Sequence, residues 1–156
     1  MHRGVHPKTG ASRGYHKELD LEELNKYFVL SPNDLIEIHD CRGATNKLGF
    51  AIQLCCLRWF GYLLPDLRNT PATIVEQVMR QLGLVDRVDL LDYPQSENTR
   101  TGHHDRIRTY LSFQKCDEPQ RIRLLNHLSQ QVIKLPHSTD LVDVACTWLY
   151  EEKIVR

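Results

Sequence analysis

The chain has 156 residues, 41% of them hydrophobic, and 20 lysines and arginines balance 20 aspartates and glutamates. That length suits one domain or two very small ones, and the composition is ordinary for a chain that buries a core. A net charge of zero excludes any case for nucleic-acid binding from bulk charge, so such a case must rest on where the charges sit.

Five cysteines, an odd number, include the adjacent pair Cys55–Cys56 and no C-x-x-C. This excludes a zinc ribbon and a thioredoxin-like motif and reads as reduced thiols used as small apolar residues. The first nineteen residues are polar and basic, without the apolar stretch of a signal peptide. The run Leu48–Leu64 is the one membrane candidate. It contains Gln53 and Arg58 and falls short of the roughly 20 apolar residues a span needs. No membrane contact is expected.

Residues 1–17 mix glycine, histidine, lysine and arginine without periodicity and read as a disordered basic arm, or as a remnant of the gene's start. Asp20 to Phe28 reads as a short helix, with Asp20 as cap, Glu23 three residues on, and Leu21, Leu24 and Phe28 on one face. Ser31-Pro32 starts a second helix, in which Leu35, Ile36 and Ile38 supply apolar contacts. The third runs from about Ala44 to Phe60. Leu48, Ile52, Cys55 and Trp59 form one stripe, with Phe50, Leu54 and Leu57 beside it, so this helix is central. Gly49 in its interior costs up to about 1 kcal/mol against alanine, and close approach of a neighbouring helix is the expected return. Lys47 and Arg58 share a stripe with small Ala51 between them.

Pro65 and residues 66–69 form a loop. Thr70-Pro71 begins a fourth helix, buried through Ile74, Val75, Val78 and Leu82 and closed by Gly83. Asp86–Leu91 is a short helical turn ended by Tyr93-Pro94. The next helix starts near Asn98–Thr101 and ends near Phe113. Ile107, Tyr110 and Leu111 point inward, and Thr99, Arg100, His103 and Arg106 lie at its start and outer side. Asp117-Glu118-Pro119 starts another, with Ile122, Leu125, Leu128 and Val132 as its apolar spine and Pro136 as its stop. Ser138 or Thr139 caps the last helix, which buries Leu141, Val144, Ala145, Trp148 and Leu149. No β-alternating segment of useful length appears. The expected architecture is all-α, a compact bundle of six to eight short helices. An arm over 1–17 precedes a helical domain over 18–156, or two small helical subdomains over 18–92 and 93–156.

Catalytic signatures such as G-x-S-x-G, H-E-x-x-H, Walker A and G-x-G-x-x-G are missing. No catalytic residue is assigned, and no cofactor is expected. His103-His104, with Cys116 not far away, raises the question of a metal. Adjacent side chains on a helix diverge by about 100° and do not easily share one ion, so solvent-facing or capping histidines are the simpler reading. The basic residues form two clusters. Arg42, Lys47 and Arg58 belong to the third helix and its entry; Arg100, Arg106 and Arg108 lie near Thr99 and His103. Threonine and arginine beside the free N–H groups of a helix start make a phosphate grip. Asn46 and Gln53, seven residues apart, present amides of the kind that read adenine edges. The competing reading makes both clusters solvated faces, with Arg58 paired to a carboxylate.

The pattern Arg42-Gly43-x-x-Asn46-Lys47-Leu48-Gly49-Phe50-Ala51-x-Gln53-Leu54-x-x-x-Arg58-x-x-Gly61 resembles the signature of the N-terminal domains of transposases from the replicative, class II transposons of the Tn-three family. Tyr27-Phe28-x-Leu30-Ser31 precedes it, and Leu64-Pro65 and Gln81-Leu82-Gly83 follow. Thr99-Arg100-x-x-His103 with Ile107, and Trp148-Leu149-x-Glu151, resemble later pieces of the same region, so the likeness covers about residues 20–155. It implies a module that recognises the transposon's terminal inverted repeats as double-stranded DNA, works beside other transposase subunits, and is cytoplasmic and nucleoid-associated. Arg42, Asn46, Lys47, Gln53, Arg58, Thr99, Arg100 and His103 become candidates for DNA contact, and Arg106 joins them from the second basic cluster. Met1–Gly14 does not match the family's acidic, aromatic lead-in, and Ser112 stands where a glycine is common. The family's catalytic carboxylates lie in a later RNase H-like domain that this sequence lacks, so no strand-transfer activity is expected. The alternatives are a helical scaffold for protein–protein contacts, favoured if Trp59, Tyr62 and Trp148 form one exposed patch, and a decayed fragment that still competes for transposon ends.

Overall fold

A computed structural model describes residues 20–134 and 137–155. Seven α-helices make up most of it: α1 (Leu21–Tyr27), α2 (Pro32–His39), α3 (Ala44–Phe60), α4 (Ala72–Leu82), α5 (Glu97–Tyr110), α6 (Glu118–Gln131) and α7 (Ser138–Glu151). Short 3-10 turns lie at Leu90–Asp92 and Val132–Lys134. Among the described residues, the one feature outside the expected all-α plan is a parallel pair of two-residue strands, β1 (Gln114–Lys115) and β2 (Ile154–Val155), with Gln114 opposite Ile154 and Lys115 opposite Val155. Two residues carry no alternation, so no sequence pattern marks such strands. The arm over 1–17 and the Pro136 stop lie outside the described residues, as do the side chains of Ser138 and Thr139; by backbone, His137 occupies the cap position of α7.

The helix starts follow local chemistry. Asp20 and Ser31 build reciprocal capping boxes with Glu23 and Asp34. Ser96 caps α5 through the Thr99 N–H, which starts that helix at Glu97, ahead of the expected Asn98–Thr101. It ends at Tyr110, short of Phe113, and Ser112 then takes a left-handed φ of 60°.

The core is built around α3, which is buried from Leu48 to Phe60 except at Arg58. Helices α1, α2, α4 and α5 pack against it. Phe28, Ile38, Ile74, Val78 and Ile107 reach into this core, each stabilising by roughly 1.5–3 kcal/mol. Helices α6 and α7 pack chiefly on each other, and Leu149 and Ile154 are the apolar residues buried there.

Several expected core positions face out. Leu21 of α1 and Ile36 of α2 are exposed, because each short helix buries a single stripe, through Leu24 and Ile38 respectively. The spine proposed for α6 is largely exposed too, with Ile122 at 50%, Leu125 at 63% and Val132 at 49%. A period of 3.6 shows that a helix has an apolar face, not that a partner covers it. Gly49 is the site of a close approach, but the approaching group is the Tyr93 ring rather than a helix. A Cβ at Gly49 would clash with the Cγ, Cδ2 and Cε2 atoms of that ring.

Candidate nucleic-acid interface

The nine candidate residues separate into three environments. The first is interior. Gln53 is 2% exposed, and its amide clamps one residue: Leu64 N–H donates to Oε1 at 2.8 Å and Nε2 donates to the Leu64 carbonyl at 2.7 Å. This ties the segment after α3 back onto the middle of the helix. His103 is also buried, which replaces the solvent-facing or capping reading. Its Nδ1 shares a 2.9 Å hydrogen bond with the Tyr93 hydroxyl, its ring stacks on Tyr93, and it meets Phe50 edge-on. Burial first, then the positive neighbours Arg106 and His104, push its imidazole down to about 4. It is therefore neutral at pH 7.

The second environment is the seam joining α2, α3 and α5. Arg58 makes a two-pronged contact with the fully buried Asp34, at 2.7 and 3.1 Å. The Tyr110 hydroxyl donates to the same carboxylate at 2.7 Å, and the Ser31 N–H at 2.9 Å. Burial pushes the Asp34 carboxyl up, but the hydrogen bonds from Arg58, Tyr110 and Ser31 outweigh it and hold it below the usual range. Arg106 donates to the Glu37 carbonyl at 2.5 Å, lies 3.8 Å from the Glu37 carboxylate and sits over the Phe50 ring. Both arginines stay about one-third exposed at the side chain.

The third environment is the surface. Gly43, with φ of +81°, leads into α3, whose first turn has neither a side-chain cap nor an acidic residue. Arg42 is exposed and Lys47 half-buried there, and neither has an ion pair among the described residues. Asn46 Nδ2 donates to the Arg42 carbonyl at 3.0 Å, while its Oδ1 is buried without a hydrogen-bond partner. At the start of α5, Thr99 Oγ1 lies 3.0 Å from Ser96 Oγ. Arg100 donates to the Pro65 carbonyl at 2.6 Å and pairs with Glu97 at 3.3 Å.

Arg100 also lines a cleft of about 590 Å3 between the Leu63–Pro65 segment, α5, β1 and the start of α6. Arg108, Lys115 and Arg121 share this cleft with His104. Burial, then Arg100 and Arg108, lower the His104 imidazole below its ordinary value. Lys115 and Arg121 escaped the sequence reading because no spacing links them to Arg100. The parallel β1–β2 pair and the turn into α6 bring them together.

A family described as "Domain of unknown function (DUF4158)" matches residues 10–156. Transposases are similar over much of the chain. That of transposon Tn501 from Pseudomonas aeruginosa is 34% identical over 116 residues, 72% of this chain and 12% of its own length. That of Tn1546 from Enterococcus faecium is 29% identical over 85% of this chain and 13% of its own length. The transposase of insertion sequence IS1071 in Tn5271 from Comamonas testosteroni is 28% identical over 98% of this chain and 16% of its own length. The chain thus spans only a small part of the relatives it matches. It belongs to the DUF4158 family, and its relatives are transposases of the Tn-three family.

Proposed function

We propose that this chain is a DNA-recognition module that engages the terminal inverted repeats of a transposon. The observation that carries the reading is the similarity to transposases over 72–98% of the chain, beside a family match over residues 10–156, which include Arg42, Lys47 and Arg100. Arg42, Lys47, Thr99 and Arg100 form the contact set of the proposal, a choice supported by the exposure of Arg42 and the partial exposure of the other three. Asn46 is left out of that set, since its Oδ1 is buried and its Nδ2 is taken by the Arg42 carbonyl. Gln53, Arg58, His103 and Arg106 take supporting roles, since their polar atoms hold the fold. Contacts of this kind are mainly to phosphates and fix register, leaving base reading to few side chains.

The test is a salt-series titration against inverted-repeat and scrambled duplexes. The inverted repeat binds more tightly, and Lys47→Ala and Arg100→Ala each lower the log–log salt slope by about 1. Equal weak binding to both duplexes overturns repeat recognition.

A second reading, contact with other transposase subunits, is favoured by a different surface. Trp59 and Tyr62 are buried and offer no patch, but Ile122, Leu125, Val132 and Val142 are exposed on the α6–α7 hairpin and the turn joining it. Such faces mark interaction surfaces when they are contiguous.

A further inference from the structure

The whole chain carries no net charge, yet the cleft between the Leu63–Pro65 segment and α5, β1 and α6 gathers Arg100, Arg108, Lys115 and Arg121 against only Glu97 and Asp105. An excess of two positive charges in one concavity is a local departure from a balanced surface. Field lines concentrate in such a groove, so it attracts polyanions more strongly than the same charges on a convex face.

The ion pairs in and around it are of two kinds. Arg108, 11% exposed at the side chain, lines the cleft and is held by Asp105. Lys115 and Arg121 make only loose pairs, Lys115 at 3.7 Å from Asp105 and Arg121 at 3.7 Å from Glu118, and their side chains are 70% and 65% exposed. Exposed pairs of that length contribute about 0–1 kcal/mol, so a phosphate exchanges for the carboxylate at little cost. Arg100 anchors the opposite wall through the Pro65 carbonyl, which leaves its guanidinium oriented rather than free to sweep. One wall is therefore preset and the other adaptable.

We infer that this cleft is a backbone-binding groove for duplex DNA, in which Lys115 and Arg121, with Arg100 and Arg108 behind them, contact consecutive phosphates, while Asp105 tempers the affinity. The inference rests on the DNA reading above and extends it to residues of β1 and α6 that lie outside the α3 and α5 motifs.

The experiment uses the intact chain and an inverted-repeat duplex, titrated between 50 and 300 mM salt, with thermal melts to confirm folding. Each phosphate neutralised contributes about 0.9 to the log–log slope. The double variant Lys115→Ala/Arg121→Ala is expected to lower the slope by about 2 and to weaken binding about 10-fold or more near 0.15 M salt. Asp105→Asn is expected to tighten binding several-fold, an effect that a merely structural role of the cleft would not produce. Arg80→Ala, at an exposed position of α4, should leave both unchanged. If the double variant keeps the wild-type slope while Lys47→Ala, outside the cleft, flattens it, the groove is disproved and the DNA reading stands. If the wild-type chain shows no salt-dependent binding to any duplex, both fail.

Discussion

His103 shows how far one residue's role depends on what surrounds it. Its imidazole is held at about 4 when folded, against 6.5 ordinarily, because burial and Arg106 disfavour the charged form. Between those values the unfolded chain binds a proton that the folded chain refuses. Stability is therefore fully present above about pH 6.5 and is lost as the pH falls toward 4, by on the order of 2–3 kcal/mol. Urea unfolding at pH 7.0 and 4.5 should show that loss in the wild type and a smaller one in His103→Phe. Gly49 makes a second residue-scale case. Alanine normally stabilises a helix interior by up to about 1 kcal/mol, but here its Cβ meets the Tyr93 ring. Gly49→Ala should cost about 2 kcal/mol, as overpacking does, with a lowered midpoint in denaturant melts. Ser112, with its left-handed φ of 60°, is the opposite case. Ser112→Gly should be neutral or stabilising by up to about 1 kcal/mol, read as a rise in melting temperature.

At the scale of elements, α3 is held by polar clamps as well as by its apolar surface. Asp34 and Arg58 join α2 to α3, and Tyr110 brings α5 to the same carboxylate. Removing one partner of a buried ion leaves the other uncompensated, which typically costs 3–5 kcal/mol. The partial exposure of Arg58 lets water replace some of the contact, so Arg58→Ala should cost about 2–3 kcal/mol in chemical denaturation. A fall of less than 1 kcal/mol would show that Tyr110, Ser31 and solvent satisfy Asp34 without Arg58. The signature positions Arg58 and Gln53 were legible as polar residues on a buried helix. What they bind was not, because Asp34 and Leu64 lie 24 and 11 residues away and outside α3, where helical spacing places nothing.

For the whole molecule, a tightly packed unit around α3 contrasts with a lightly covered hairpin of α6 and α7. An exposed apolar residue that touches little can be exchanged at small cost. Leu125→Gln should change stability by less than about 0.5 kcal/mol in thermal melts. The same substitution should leave the DNA salt slope intact, since Leu125 carries no charge. The proposed interface crosses this boundary, with Arg42 and Lys47 at the start of α3 and the groove residues on α5, β1 and α6.

Local rules decide much of this protein. Capping residues such as Asp20, Ser31 and Asp117 and the 3.6-residue periods of α3, α4 and α5 are properties of short stretches. They determine which segments are helical and which helix must be central. The motif around Arg42–Gly61 and Thr99–His103 likewise carries the family resemblance in linear order. Tertiary packing alone decided which polar residues remain available. Arg58 and Arg100 look equivalent in sequence, yet one is spent on a buried carboxylate and the other looks onto a cleft. The reason is that helical periodicity specifies a direction from the helix axis, whereas burial and charge pairing depend on what other elements place in that direction.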